Sequence, residues 1–311
     1  MLVLDRAQTR AALDPLRTTE AVARALVAIA RGQVSVPPRI AALAPAGLLG
    51  AMPGHVPGLG LAAKLVTVFT DPERPGRSAH RGVVALFDEA DGRPLALMDA
   101  ESVSAVRTAA AATLSMRALA RPGVRRVAVI GTGAQARAQL AMLAAHAPGV
   151  PVVVGGRDPL RTREAAAGHP GASAATVEQA VRGAGVVFCC TGAVRPVLRR
   201  DWLAPGAHVS SVGGSHGHEL DGGTVADGTL FAEWPGAAGA PPPAGAGELQ
   251  GVPVERVTLL GAVLAGEHPG RRRGDELTVF KSTGHAALDV AAAAVVHAHA
   301  RELGIGVRVD L

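Results

Sequence analysis

The sequence predicts an α/β fold in which a parallel α/β unit is inserted between the N- and C-terminal segments of a second, α+β domain. Three observations carry this expectation. An apolar strand, Val127 to Ile130, runs into Gly131-Thr132-Gly133 and then into an Ala-rich helix reaching Ala145, and a second apolar strand, Val150 to Val154, closes a βαβ unit. Ahead of that unit lie short apolar runs separated by Pro/Gly loops, which read as strands. Behind it, a helix from His285 to Leu303 is followed by a strand, Ile305 to Val309, too short to stand alone, so both return to the N-terminal domain. At 311 residues the chain exceeds the usual size of one domain. The expected limits are 1–120 plus 285–311 for the outer domain and 121–284 for the inserted one.

Taken in order, Met1 to Leu4 reads as a short strand and Thr18 to Arg31 as a helix, and Pro37-Pro38-Arg39 ends that unit. Strands follow at Gly60 to Phe69 and Gly82 to Phe87, and Leu95 to Met98 completes a hairpin-like set around the Asp91-Gly92 turn signal. Ser102 to Leu119 is Ala-rich and reads as a long helix leading into the inserted unit. There, Val186 to Thr191 and Ala207 to Val212 read as later parallel strands, each followed by a Gly-containing turn of the kind that lines a ligand cleft at strand C-termini. Residues 235 to 247, rich in Pro, Gly and Ala, read as a loop or a flexible lid.

The glycine turn carries chemistry. Gly131 lets the strand turn sharply, Gly133 lets backbone approach a phosphate with no side chain in the way, and the helix N-terminus from Ala134 and Gln135 onward offers N–H donors to a pyrophosphate. The third small position is Ala136, a variant that the dinucleotide fingerprint of the Rossmann fold allows. The second strand ends Val154-Gly155-Gly156-Arg157, with a guanidinium where an NAD-preferring site would hold an acid. An Arg there can bind a ribose 2′-phosphate bidentately, so NADP(H) is expected over NAD(H). In the competing reading Arg157 is a solvated loop residue and Asp158 reaches the ribose.

Composition excludes more than it assigns. Hydrophobic residues make up 48% of the chain but aromatic ones only 2%, which suits close helix-on-sheet packing. The net charge of +5 comes from scattered basic residues with no basic stripe interleaved with aromatics, so nucleic acid is not an expected partner. Cys189 and Cys190 are adjacent, lack metal-ligand spacing and read as buried free thiols, and no metal site is expected. No apolar stretch approaches the ~20 residues a membrane span needs and no signal peptide is visible, so a cytoplasmic protein is expected, with no membrane partner.

In sum these residues resemble the ornithine cyclodeaminase/μ-crystallin family over nearly the whole chain. The resemblance runs through Pro37-Pro38-Arg39, Lys64 to Phe69, Pro94 to Asp99, Arg107 to Ala110, Gly131 to Ala136, Pro205 to Val209, Gly213-Gly214, Glu219-Leu220 and Thr278 to Gly284. It implies a homodimer with a Rossmann domain between the parts of a substrate-binding and dimerisation domain, and hydride chemistry at the α-carbon of an amino or imino acid. It assigns Arg39, Lys64 and Arg107 to a substrate carboxylate pocket, with Lys64 also able to hold or protonate the substrate nitrogen. Arg107, Thr108, Thr191, Gly213 and Ser282 join Gly131, Gly133, Ala134, Gln135, Gly156 and Arg157 as candidate cofactor contacts. The physics agrees with the pocket: buried cations are costly alone, and three that converge call for an anionic ligand.

Two departures discriminate within the family. Cyclodeaminases resembling this chain carry a Glu just before the Met-Pro pair, where this sequence has Leu49-Gly50-Ala51-Met52-Pro53, and an Asp after Gly213-Gly214, where it has Ser215. Cyclodeamination needs such groups to manage amine, water and ammonia. Serine there resembles μ-crystallin, whose relatives reduce cyclic ketimines, and Ser78-Ala79-His80 resembles the same relatives, making His80 a candidate proton donor. The expected activity is therefore an NADPH-dependent reductase of a C=N bond adjacent to a carboxylate, in a cyclic ketimine or 2-imino acid, and in reverse an amino-acid dehydrogenase. The alternatives are an ornithine cyclodeaminase-type ammonia lyase using bound NAD+, and a non-catalytic NADPH-binding protein of the crystallin type. His216 and His218 read as exposed loop residues, and Glu219 as a loop hydrogen-bond partner without chemistry.

Overall fold

In a computed structural model, residues 1–70, 78–213 and 217–310 are described. The chain forms two compact units, Met1–Arg107 with His285–Leu311, and Thr108–Gly284. The boundary falls between Arg107 and Thr108, inside the helix Ala100–Leu119 rather than after it.

The first unit is built on a sheet of strands β1 (Leu2–Val3), β2 (Ile40–Ala44), β3 (Gly47–Val56), β4 (Gly60–Thr70), β5 (Ser78–Phe87) and β6 (Pro94–Asp99), joined by the terminal strand Val307–Arg308. The order runs from that terminal strand through β1, β6, β5, β4 and β3 to β2, and β2 to β6 form an antiparallel meander. Both β2 and β3 lie in a stretch that the sequence reading left without strands. Their residues, IAALA and GLLGAMPGHV, are mostly small and carry little β-propensity of their own, so pairing of β3 with β4, and of β2 with β3, makes them strands. A short helix, Arg6–Ala12, was also illegible as periodicity, although its Asp5/Gln8 capping box is a local signal.

Register sorts the faces of this sheet. Lys64 lies opposite Met52 and Val84, and Val84 opposite Met98, so the four share one face. That face is covered by the C-terminal helix Ala286–Leu303, which also packs on the helix Pro15–Ala30. The first half of the C-terminal helix, residues 286–293, is buried all round, and its run of alanines permits close approach: a methyl group on Gly54 would meet the Ala286 Cβ at 3.2 Å. The opposite face presents Ile40, Leu49, Leu61, Leu65 and Phe69, all large, apolar and exposed within this chain.

The second unit is a wholly parallel sheet of β7 (Val127–Ile130), β8 (Val152–Gly155), β9 (Ala172–Ala175), β10 (Val186–Cys189), β11 (His208–Ser211), β12 (Thr229–Ala232), β13 (Val257–Leu259) and β14 (Thr278–Lys281). The order is β13-β12-β14-β11-β10-β7-β8-β9. The central strands are buried on both faces, which is why they read as unbroken apolar runs. From β7 the chain winds outward through β8 to β9, then returns beside β7 as β10 and winds the other way. The topological switch point therefore lies between β7 and β10, and the C-terminal ends of those strands are where such a sheet binds its ligand. This is a Rossmann domain.

Within it, residues 235–247 form no open lid. A short helix, Gly236–Gly239, buries Ala237, Ala246 is fully buried, and the Ala246 N–H donates to the Ala237 carbonyl at 2.8 Å. Small side chains allow tight packing here, a property their composition shares with disorder. Cys189 and Cys190 are buried free thiols, and burial followed by the nearby Glu219 charge raises both well above the ordinary thiol range.

Candidate functional site

In the first unit a charged cluster sits under the C-terminal helix. Asp289, in the first turn of that helix, places Oδ2 2.8 Å from Lys64 Nζ and Oδ1 3.0 Å from Arg107 Nε. All three side chains are at most 7% exposed. Lys64 reaches the cluster from the covered face of β4, and Arg107 from the helix that follows β6. Lys64 also donates to Ser104 Oγ at 3.4 Å. Arg107 Nη1 is buried without a hydrogen-bond partner among the described residues. Arg39 adds a third cation whose field acts on Lys64 and on His285.

The electrostatics follow from burial and charge count. Desolvation lowers the Lys64 ammonium below its ordinary value, outweighing the pull of Asp289, with Arg107 and Arg39 pushing the same way. For Asp289, desolvation favours the neutral acid, but Lys64 and Arg107 outweigh it and the carboxyl is held low. Burial brings His285 down to about 4 against the attraction of Asp289, with Arg107 and Arg39 adding to the fall, so the imidazole is neutral at pH 7. Two buried cations, Lys64 and Arg107, thus share one carboxylate. The excess positive charge and the unpartnered Nη1 together suit an anionic ligand such as a carboxylate.

Sequence reasoning gathered Lys64, Arg107 and Arg39 but missed Asp289. A signal was present: a single acid in the run Ala286-Ala287-Leu288-Asp289-Val290-Ala291, on a helix too apolar to face water, had to find a cation. His80 falls at a described position of β5, opposite Val68, but its side chain lies outside the described residues, as do Ser215 and His216 altogether.

In the second unit the glycine turn has the geometry its sequence requires. Gly131 has φ +121°, and a Cβ there would meet the Cys190 carbonyl oxygen, at the end of β10, at 2.5 Å. Gly133 is the N-cap of the helix Ala134–His146, which has no side-chain cap, and a Cβ on it would meet nothing within 4 Å. That open cradle at a helix N-terminus, placed at the switch point, fits a dinucleotide pyrophosphate. Beyond β8, Arg157 is exposed, while Asp158 caps the next helix through the N–H groups of Leu160 and Arg161. One oxygen of Asp158, Oδ1, takes both of these cap bonds.

The remaining candidates differ in their surroundings. Thr191 and Gly213 follow β10 and β11 at the sheet's C-terminal edge and are bound by Glu219, whose side chain is buried rather than in an open loop. Ser282 is buried and donates its hydroxyl to Glu233 at 2.9 Å. Thr108 is buried in the long helix. Among the described residues there is no cluster of His, Cys, Asp and Glu that could hold a metal ion, and no helix long and apolar enough to cross a membrane.

The model of the ornithine cyclodeaminase/mu-crystallin family matches residues 2–304 of this sequence. The chain belongs to that family. It is 31% identical to the ketimine reductase mu-crystallin of Mus musculus over 256 residues, covering 81% of this chain and 80% of the mouse protein. Among solved structures, it matches the iminosuccinate reductase of Paracoccus denitrificans in complex with NAD+ at a TM-score of 0.89 and 26% identity, covering 100% of this chain and 99% of that one. It matches the Thermococcus litoralis Δ1-pyrroline-2-carboxylate reductase, in complex with NADH and L-proline, at 0.86 and 27%, covering 99% and 100%. The family's own description spans cyclodeaminases and crystallins, so membership leaves the reaction to be argued from the residues.

Proposed function

We propose that this protein is an NAD(P)H-dependent reductase of a C=N bond adjacent to a carboxylate, working in reverse as an amino-acid dehydrogenase. The observation that carries the reading is the buried Lys64–Asp289–Arg107 cluster, with its excess of positive charge and an Arg107 Nη1 lacking a partner. Arg107 and Arg39 bind the substrate carboxylate. Lys64, whose ammonium is destabilised by burial, gives its proton to the substrate nitrogen as the α-carbon is reduced, and Asp289 fixes the direction of the ammonium. A reduced nicotinamide dinucleotide, its pyrophosphate held at Gly131–Gly133, would supply the hydride when bound. The reductase relatives described above support this class of substrate, and His80 is the competing proton donor.

The same cluster argues against cyclodeamination. That reaction needs a carboxylate able to accept a proton, and the strand β3, GLLGAMPGHV, has none. Asp289 does not substitute for it, because two cations hold it ionised and weakly basic. We further propose that NADP(H) is preferred, through Arg157. We propose too that the protein is a homodimer joined through the open apolar face of the first unit's sheet, since Ile40, Leu49, Leu61, Leu65 and Phe69 together form a patch that monomers seldom leave uncovered. The test is to follow NADPH absorbance with a panel containing a cyclic 2-carboxy imine and pyruvate with small amines. Consumption that is lost in Lys64→Ala supports the reductase. Ammonia and proline formed from ornithine without net redox would overturn it in favour of the lyase, and tight NADPH binding with neither activity would favour the binding protein.

A further inference from the structure

Glu219 is a fully buried carboxylate with all of its hydrogen bonds directed at one edge of the Rossmann sheet. Its Oε1 accepts from the Thr191 N–H and the Thr191 hydroxyl, both at 2.7 Å. Its Oε2 accepts from the Ser211 hydroxyl at 2.7 Å and the Gly213 N–H at 2.9 Å. Burying a carboxylate is costly, and four donors are what make it tolerable here. Thr191 and Gly213 are the second residues beyond β10 and β11, so one side chain ties the exits of two adjacent strands. The loops approach so closely that a Cβ on Gly213 would fall 1.8 Å from the Thr191 carbonyl oxygen. Lys281, at the end of β14, extends the lacing: its ammonium donates to Ser211 Oγ at 2.8 Å and to the Gly213 carbonyl at 2.5 Å, and pairs with Glu248 at 2.9 Å.

The location gives this array a function. A pyrophosphate at Gly131–Gly133 sits at the end of β7, and Arg157 beyond β8 marks the side on which the adenosine ribose lies. The other half of an extended dinucleotide must then run across the switch point, over the ends of β10 and β11. Those are the two exits that Glu219 holds. We propose that Glu219 is a positioning residue for the nicotinamide half of the cofactor: it sets the spacing of the Thr191 and Gly213 loops on which that half rests, without touching it. This rests on the dinucleotide-binding reading above.

The consequence is a split between the two halves of the cofactor. In Glu219→Gln the side chain keeps its shape, but the amide nitrogen cannot accept hydrogen bonds, so either the Thr191 pair or the Ser211–Gly213 pair loses its acceptor. Fluorescence titration of the purified protein should show 2′,5′-ADP binding within about twofold of wild type. Reduced nicotinamide mononucleotide and NADPH should bind at least ~10-fold more weakly, as the loss of one buried charge-assisted bond entails. Equal weakening of both halves would reduce Glu219 to a fold-holding role and overturn the proposal, as would no change in either. Should Glu219→Gln fail to fold, Ser211→Ala removes a single donor and must show the same one-sided pattern at smaller size, and a symmetric effect refutes the idea. If wild type binds neither 2′,5′-ADP nor NADPH, the dinucleotide reading itself falls; if wild type binds both and the variants match it, only the role of Glu219 does.

Discussion

Replacing Asp289 with Asn tests whether one carboxylate sustains the cationic cluster. Asp289 pairs with Lys64 at 2.8 Å and Arg107 at 3.0 Å, and the exposures of 2%, 6% and 7% leave little room for water to screen what remains. Breaking a buried pair by removing one partner costs about 3–5 kcal/mol, because the surviving charge is left uncompensated. At ~2–4 °C per kcal/mol for a domain of this size, the melting temperature should fall by about 10 °C. Added carboxylate, such as pyrrole-2-carboxylate, should recover more of that loss in Asp289→Asn than it adds to wild type, since the pocket has become more positive. The kinetic effect has a definite sign. Without Asp289 the Lys64 ammonium loses the neighbour that favours it, while burial, Arg107 and Arg39 still oppose it. The high-pH limb of kcat for imine reduction, where the donor loses its proton, should therefore move to lower pH by at least about one unit. Calorimetry and a pH–rate profile read both. An unchanged limb, with a shift seen instead in His80→Gln, would refute Lys64 as the donor. An unchanged melting temperature would refute the cluster's charge accounting.

Arg157→Ala should raise the KM for NADPH by about 10- to 100-fold, the worth of one or two charge-assisted hydrogen bonds to a 2′-phosphate, and leave that for NADH nearly unchanged. Equal effects on both would refute the NADP preference. Gly133→Ala should melt within a few degrees of wild type, because a Cβ there meets nothing within 4 Å, yet lose at least ~10-fold in dinucleotide affinity; retained affinity would displace the pyrophosphate from that turn. Folding stability should fall as pH drops below 6.5. His285 and His208 are buried as neutral rings, held down to about 4 and about 3, chiefly by burial, with Arg107 and Arg39 adding to the fall at His285 and Arg271 at His208. The unfolded chain therefore takes up their protons first, so their contributions are complete above the unfolded pKa and decline toward the folded values, each by roughly 2–3 kcal/mol at pH 4.5. Urea titrations at pH 7.5 and 4.5 that gave equal stabilities would contradict this.

What the sequence reveals depends on how local the cause is. The turn at Gly131–Gly133 was legible because strand, turn and helix follow one another within ten residues, and Gly131 needs its left-handed backbone for reasons visible in that stretch. The cap that Asp158 makes to the Leu160 and Arg161 N–H groups is local in the same way. Strands β2 and β3 were not legible, because Ala, Gly and Pro signal no strand until β4 pairs with β3 and β3 with β2. Glu219 read as a loop residue because nothing near it in sequence shows that Thr191, 28 residues away, supplies two of its donors.

Asp289 is the most instructive of these, because its role follows from two distances that no window of sequence contains: 225 residues to Lys64 and 182 to Arg107. Once placed, it narrows the chemistry as well as the fold. A carboxylate beside one cation can still serve as a base when substrate draws that cation away. A carboxylate gripped by two, at the positive N-terminal end of a buried helix, is held ionised and has little basicity to offer. What it can do is keep Lys64 protonated and Arg107 oriented at a site whose other groups would drive the lysine toward neutrality. In the proposed reaction Lys64 donates its proton to nitrogen and, in the reverse direction, takes it back as the neutral amine; the further carboxylate base that cyclodeamination requires is not supplied by Asp289.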